Sequence, residues 1–372
     1  MRVVVAPDKF KGSLSAAEVA DALTAGLLAG RPDLQVTRLP VADGGEGTVA
    51  AALSAGYQRV DVDAVGPTGE PVRSAYAVQG ARAVVELADV VGLARLPHGR
   101  PDPLGASTYG LGLVVLDAVA RGANDIVLGI GGSASTDGGA GLVQALGARL
   151  LDGSGRELPR GGGALADLRR LELSELPARV AGLRFTVATD VSNPLLGPGG
   201  AAAVYGPQKG ADAADVDRLE AGLAVWARAV TDATATDAAT RPGAGAAGGT
   251  GFAALALLGA ELRPGIDLIL ELVDFPAAVT GADLVVTGEG SLDEQSLAGK
   301  APVGIAEAAR RAGARTVAVA GRNLLSEARL REAGITGVYA LMDLEPDPEQ
   351  SMRDAPELLH RIGVAIAGEW LR

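Results

Sequence analysis

"MRVVVAPDKFKGSLSAAE", residues 1–18, is the stretch that decides the fold. Met1 to Ala6 is a Val-rich apolar run of the kind that forms a parallel strand buried on both faces. Asp8 to Gly12 turns polar, and Ser15 with Glu18 three positions later is a capping box before the amphipathic run Ala16 to Ala29. The unit is strand, turn, helix, and its turn holds Lys9 and Lys11. Of the chain's 33 basic residues only four are lysine, leaving 29 arginines. The other two, Lys209 and Lys300, also sit beside Gly and Pro, in GPQKG and AGKAP. An ammonium group is a compact, mobile charge and a guanidinium a planar fork, so four lysines in turn-like sequence read as candidate anion ligands.

The same unit recurs along the chain. Gln35 to Ala42 leads into DGGEG and a helical stretch from Thr48 to Ala55; Asp125 to Ile130 leads into GGSASTDGG and a helix from about Ala140 to Leu151. Leu183 to Thr189 leads into DVSNP, and Ala282 to Thr287 into GEGSLDEQSLAGK, after which Pro302 suits a helix's first turn. Strands at Thr316 to Ala320 and Gly337 to Met342 and a helix from Glu357 to Trp370 close the pattern. Between Val60 and Leu87, short alternating runs separated by turn residues predict an antiparallel hairpin or meander and the start of a second domain. Thr231 to Gly251 is of low complexity and predicts a flexible loop or hinge. The expected fold is α/β in two domains. Both chain ends, 1–55 and 280–372, form a doubly wound Rossmann-like parallel-sheet domain; 56–279 form an inserted mixed α/β domain, with the active site in the cleft.

Composition narrows the function. At 372 residues, 48% hydrophobic and with mean hydropathy +0.24, the chain can bury two cores. A net charge of −12 argues against nucleic acid or an anionic membrane as partner, since both call for a basic face. There is no Cys, and the only histidines, His98 and His360, lie outside the Gly-rich loops. No Walker A motif is present, and no GxSxG elbow. Gly243, Gly245 and Gly248 match GxGxxG but follow Ala/Thr/Asp coil instead of a strand, so they read as a hinge or loop. With a polar turn so soon after Met1, a cytoplasmic protein, monomeric or homodimeric, is expected.

The five loops fall at the carboxyl ends of strands, where α/β sheets bind ligands. Their acids are Asp8, Asp43, Glu46, Asp137, Asp190, Glu289 and Asp293, five of the seven directly beside Gly or Thr. Such oxygen ligands suit Mg²⁺, glycines let backbone approach phosphate, and lysines neutralise its charge; phosphoryl transfer uses that combination. Taken singly, each acid is more readily read as a structural helix cap or Asx-turn.

The segments APDKFKGSLSA, ADGGEGT, GIGGSASTDGGAG, TDVSNPL, GPQKGA, GTGFAALALLGAELRPGI and VVTGEGSLDEQSLAGKAPVGIA, in this order from about residue 3 to residue 306, closely resemble the bacterial glycerate kinase family unrelated to P-loop kinases. The resemblance implies ATP- and Mg²⁺-dependent phosphorylation of D-glycerate at the 2-hydroxyl, giving 2-phosphoglycerate and ADP. It implies Lys9 and Lys11 on phosphates or the glycerate carboxylate, with Ser13, Gly44, Gly45, Glu46, Gly131, Gly132, Ser133, Asp137 and Asn193 as further substrate or phosphate ligands. Lys209 and Lys300 would meet the developing charge, Asp190 or Asp43 would orient the hydroxyl and take its proton, and Glu289 with Asp293 would hold Mg²⁺, the two carboxylate roles being exchangeable. Ser291 stands where many relatives have Arg, and Ala298 where many have His. The alternatives are transfer to the 3-hydroxyl or to another small hydroxy acid, and, from another class, a non-catalytic small-anion-binding protein.

Overall fold

A computed structural model describes residues 1–298 and 300–371; Gly299, Arg372 and the Ala298 side chain lie outside the described residues, and with them the expectation attached to Ala298. Among the described residues the strands run β1 Arg2–Pro7, β2 Gln35–Arg38, β3 Gln58–Val65, β4 Pro71–Gln79, β5 Arg82–Glu86, β6 Asp125–Gly129 and β7 Arg149–Leu151. They continue with β8 Arg170–Glu172, β9 Arg184–Ala188, β10 Glu261–Arg263, β11 Leu284–Leu292, β12 Arg315–Asn323 and β13 Gly337–Ala340. Contacts group the chain into two compact units: Met1–Asp43 and Ala50–Gly56 with everything from Pro264 onward, and Gly44–Val49 with Tyr57–Arg263. The sequence placed the return to the first unit at residue 280. The helix Gly265–Leu272 belongs to it because Ile266 seats on Gly304, where a Cβ would lie 2.6 Å from its Cγ1.

The first unit is built on a parallel sheet in the order β13-β12-β11-β1-β2. Numbered within the unit this is 2-1-3-4-5, the flavodoxin-type doubly wound order and not the Rossmann order, and its switch point lies between β1 and β11. The central strands β1, β11 and β12 are buried on both faces because alternate residues serve separate cores. Val3, Val5, Val286 and Val319 join Leu23 and Leu27 of the helix Ala16–Gly30 and Leu359 and Ile362 of the helix Ala355–Trp370. Ala318 and Ala320 turn the other way, onto Ala306 and Leu330. The capping box is formed: Ser15 Oγ accepts the Glu18 N–H, and Glu18 Oε2 accepts the Ser15 N–H at 2.8 Å. One expectation is corrected here. The chain does not leave the sheet at Thr287; β11 runs on to Leu292 because β12 is equally long and pairs with it, Glu289 opposite Ala320 and Ser291 opposite Arg322.

The second unit holds a sheet in the order β10-β9-β6-β5-β4-β3. β3, β4 and β5 form the antiparallel meander, and β5, β6, β9 and β10 run parallel. The helix starting at Ala140 stops at Ala145, not Leu151, because Gly147 at φ +99° turns the chain into β7. The expectation of a flexible loop or hinge at Thr231 to Gly251 is also corrected. Its start ends the helix Ala213–Thr234, its end lies in the helix Ala246–Leu257, and Ala238, Ala244, Ala246 and Thr250 between them are fully buried. Small residues here serve close packing: Gly248, at φ +66°, lies where a Cβ would come within 2.0 Å of Ser135 O. No helix among the described residues is long and apolar enough to cross a membrane.

Candidate active site

Each unit gathers one cluster of loops at the carboxyl edge of its parallel strands. In the first, the Asp8 N–H donates to Gly288 O at 2.8 Å, carrying the β1–β11 ladder into the loop. The next residues close a tight turn in which the Phe10 N–H donates to Leu14 O and the Leu14 N–H to Phe10 O, with Phe10 buried as its anchor. Lys9 and Lys11 flank that anchor; Lys11 is exposed and Lys9 half-buried, its Nζ 3.8 Å from Asp8 Oδ1. Gly290 backs onto the turn, where a Cβ would stand 3.3 Å from Lys11 N. The Ser13 hydroxyl is engaged elsewhere, donating to Met352 O at 2.9 Å.

Four acids, Asp8, Asp43, Glu289 and Asp293, gather in this cluster among its lysines. Burial pushes the Asp8 carboxyl up to about 7, Lys9 pulling it back and the charges of Asp43 and Glu289 adding to the rise. Burial likewise raises Glu289, against the Ser296 hydroxyl and Lys300, with Asp293 and Asp43 raising it further. Glu289 Oε1 is buried without a hydrogen-bond partner. Asp293 Oδ1 accepts from the Gln295 N–H at 2.9 Å and the Ser296 N–H at 3.3 Å, the Asx-turn arrangement. Among the described residues no three Asp, Glu or His side chains stand close enough together to form a metal cage by themselves. One or two carboxylates suffice for Mg²⁺ when phosphate and water complete its shell, and the orphaned Glu289 oxygen fits that donor set.

In the second unit glycines bring two loops together. A Cβ on Gly129 would lie 2.9 Å from Gly44 O, and one on Gly131 would lie 2.7 Å from Gly45 Cα, so the GGEGT and GGSAST segments meet backbone to backbone. Glu86, at the end of β5, accepts the Gly47 and Val49 N–H groups on Oε2, both at 3.1 Å. Burial pushes its carboxyl up to about 7 against those two bonds. Lys209 is buried, its Nζ donating to Ser133 Oγ at 2.7 Å and to Ser135 O at 2.5 Å. Burial pulls its pKa down to about 7, with the Asp137 charge opposing. Ser133, having accepted, retains its own O–H for a ligand, and Ser135 Oγ and Thr136 Oγ1 are buried without partners.

Two expected ligands are used by the framework. Asp137 Oδ2 accepts from the Thr108 N–H and Oγ1–H, the Ser107 hydroxyl and the Gly141 N–H, and Oδ1 from the Gly139 N–H, so it ties the loop to the helix Tyr109–Ala120. Asn193 donates from Nδ2 to Gly199 O and accepts the Tyr205 hydroxyl, each at 2.8 Å. Asp190 stands exposed just beyond β9, Glu46 is exposed, and Gly44 and Gly45 are buried. The structure thus brings Lys9, Asp43, Glu289, Asp293 and Lys300 together in one unit, and Gly44, Gly45, Gly131, Ser133 and Lys209 in the other. Reasoning from sequence counted Asp8 among the loop acids that suit Mg²⁺ without giving it a role of its own, and passed over Glu86 altogether. Nothing in the motif around Glu86 marks it, because its partners lie 37 and 39 residues away.

These features define a doubly wound α/β protein with acidic and lysine side chains gathered at one switch point and two closely packed glycine-rich loops, one of them bonded to a buried lysine. A family model described as "Glycerate kinase family" matches residues 3–371, and the chain belongs to that family. It is 42% identical over 370 residues to a glycerate kinase of Bacillus subtilis (strain 168), covering 99% of this chain and 97% of that one. It is 40% identical over 371 residues to a glycerate 2-kinase of Escherichia coli (strain K12), with 99% and 97% covered. A solved crystal structure of a protein assigned as glycerate kinase 2 from Salmonella typhimurium LT2 superposes with a TM-score of 0.86 at 38% identity, over 99% of this chain and 97% of that one.

Proposed function

We propose that this protein transfers the γ-phosphoryl group of ATP to the 2-hydroxyl of D-glycerate. The observation that carries the reading is Lys209, a fully buried ammonium held by a serine hydroxyl and a carbonyl, without an ion-pair partner among the described residues. Such a charge is costly in a folded protein unless an anion joins it, and the neighbouring GGSAS backbone and Ser133 O–H supply the rest of an oxyanion nest. Lys209 and Ser133 then hold a phosphoryl oxygen as charge develops on it, with Gly131 and Gly132 lending N–H groups.

In the other unit, Asp8, Asp43 and Glu289 crowd negative charge that a cation would relieve. Glu289, with Asp8 beside it, would hold Mg²⁺, which supplies neutralisation of the nucleotide phosphates. Asp293 then caps its own turn instead of binding the ion. Lys9, Lys11 and Lys300 bind phosphate or substrate carboxylate as point charges. Asp43, on the edge of the acidic cluster, orients the attacking hydroxyl and takes its proton, a role also open to the exposed Asp190. Because a loose phosphoryl-transfer transition state demands little of a base, positioning by these loops is the larger contribution.

The test is a reaction with Mg²⁺, ATP and D-glycerate followed by ³¹P NMR. A phosphomonoester on C2 couples to one proton and gives a doublet; one on C3 couples to two and gives a triplet. The doublet is expected, the triplet would move the activity to the 3-hydroxyl, and absence of product would leave an anion-binding protein. Asp8→Asn is expected to lower turnover on the order of 10²-fold or more while the circular dichroism spectrum stays native.

A further inference from the structure

At the carboxyl edge of the first unit's sheet, Ser291 on β11 and Arg322 on β12 are direct cross-strand partners. The Arg322 Nε–H donates to Ser291 Oγ at 3.0 Å. Side chains two apart on a strand share a face, so Ser291 follows Glu289, and Arg322 follows Ala320, on the same side of the sheet. This bond engages one of the guanidinium's five N–H donors. Arg322 is exposed, and no carboxylate pairs with it among the described residues, whereas Arg329 nearby in sequence is neutralised by Glu294 at 2.8 Å and Glu332 at 3.0 Å.

The small Ser291 leaves room across the strand pair for the longer side chain and holds its Nε edge, so the other edge of the fork is presented in a fixed direction. A planar fork matches a planar carboxylate through two parallel bonds; the lysines of the neighbouring loops are point charges suited to phosphate. We propose that Arg322, oriented by Ser291, binds the carboxylate of the hydroxy-acid substrate and selects for it. This rests on the hydroxy-acid kinase reading given above. Arg322 lies one strand from the switch point where β1 and β11 carry Asp8 and Glu289, the edge at which doubly wound sheets take their ligands.

The test compares the wild type with Arg322→Gln on D-glycerate and on its uncharged amide, glyceramide, at saturating Mg²⁺ and ATP. Arg322→Gln is expected to lower kcat/KM for glycerate about 10- to 100-fold, the range of a charge-assisted hydrogen bond, with glyceramide turnover and the KM for ATP unchanged. The exchange variant Ser291→Arg with Arg322→Ser, which moves the guanidinium to the partner position in the same register, is expected to regain most of the preference for glycerate. Equal losses on glycerate and glyceramide, a rise confined to the KM for ATP, or no loss at all would each overturn the assignment. A selective loss without recovery in a folded exchange variant would remove Ser291 from it. A wild type that phosphorylates no glycerate would instead overturn the kinase reading itself.

Discussion

Lys209 is a single residue whose burial works against the fold. Its pKa falls from 10.5 to about 7 because the charged form is desolvated. Below about pH 7 native and unfolded chains both carry the proton, and the burial cost is fully felt. Between about 7 and 10.5 the unfolded chain still binds the proton and the native one does not, so this residue makes stability rise with pH across that window. Lys209→Met cannot show that rise. Urea denaturation at intervals across the window should therefore find the wild type gaining on the mutant as pH increases; a constant difference would show that Lys209 is not buried as a base. The same mutant is expected to lose turnover on the order of 10²- to 10³-fold, since an anionic substrate recruits the protonated form. Rarity of lysine in an arginine-rich chain made Lys209 legible in the sequence. Its burial was not legible, because GPQKG alone reads as an exposed turn.

At the scale of elements, the loops depend on glycines whose missing Cβ atoms let one backbone lie against another. Gly248→Ala would force a Cβ toward Ser135 O and hold a left-handed φ as well. It is expected to cost about 2 kcal/mol or more in urea denaturation. Gly182→Ala is the control: φ is +75° but nothing lies within 4 Å, so only the backbone penalty of about 1 kcal/mol should appear. Equal losses would mean that the approach to Ser135 carries no packing energy. Elements with local signals were read well; Ser15 and Glu18 announced the first helix, and turn residues between the alternating runs from Val60 to Leu87 announced the meander. The stretch from Thr231 to Gly251 was misread because small residues look alike in a linker and in a close-packed crossing.

For the whole molecule, each unit carries its own core, and the second is nearly continuous in sequence while the first needs both chain ends. A fragment of residues 57–263 is accordingly expected to fold and melt cooperatively by circular dichroism; a molten, non-cooperative fragment would make the two cores interdependent. Restoring residues 44–49 should stabilise it, since they cover Gly129 and Gly131. The sequence by itself determined the alternation of buried strands and capped helices, the glycine and lysine content of the loops and the class of chemistry, because these depend on local periodicity and on residue types that few other contexts use. Tertiary structure alone decided that β1 lies between β2 and β11, that Glu86 holds a loop almost forty residues away, that Lys209 is buried and that Arg322 meets Ser291. Strand order, burial and cross-strand register arise from contacts between distant segments, for which a single sequence carries no local sign.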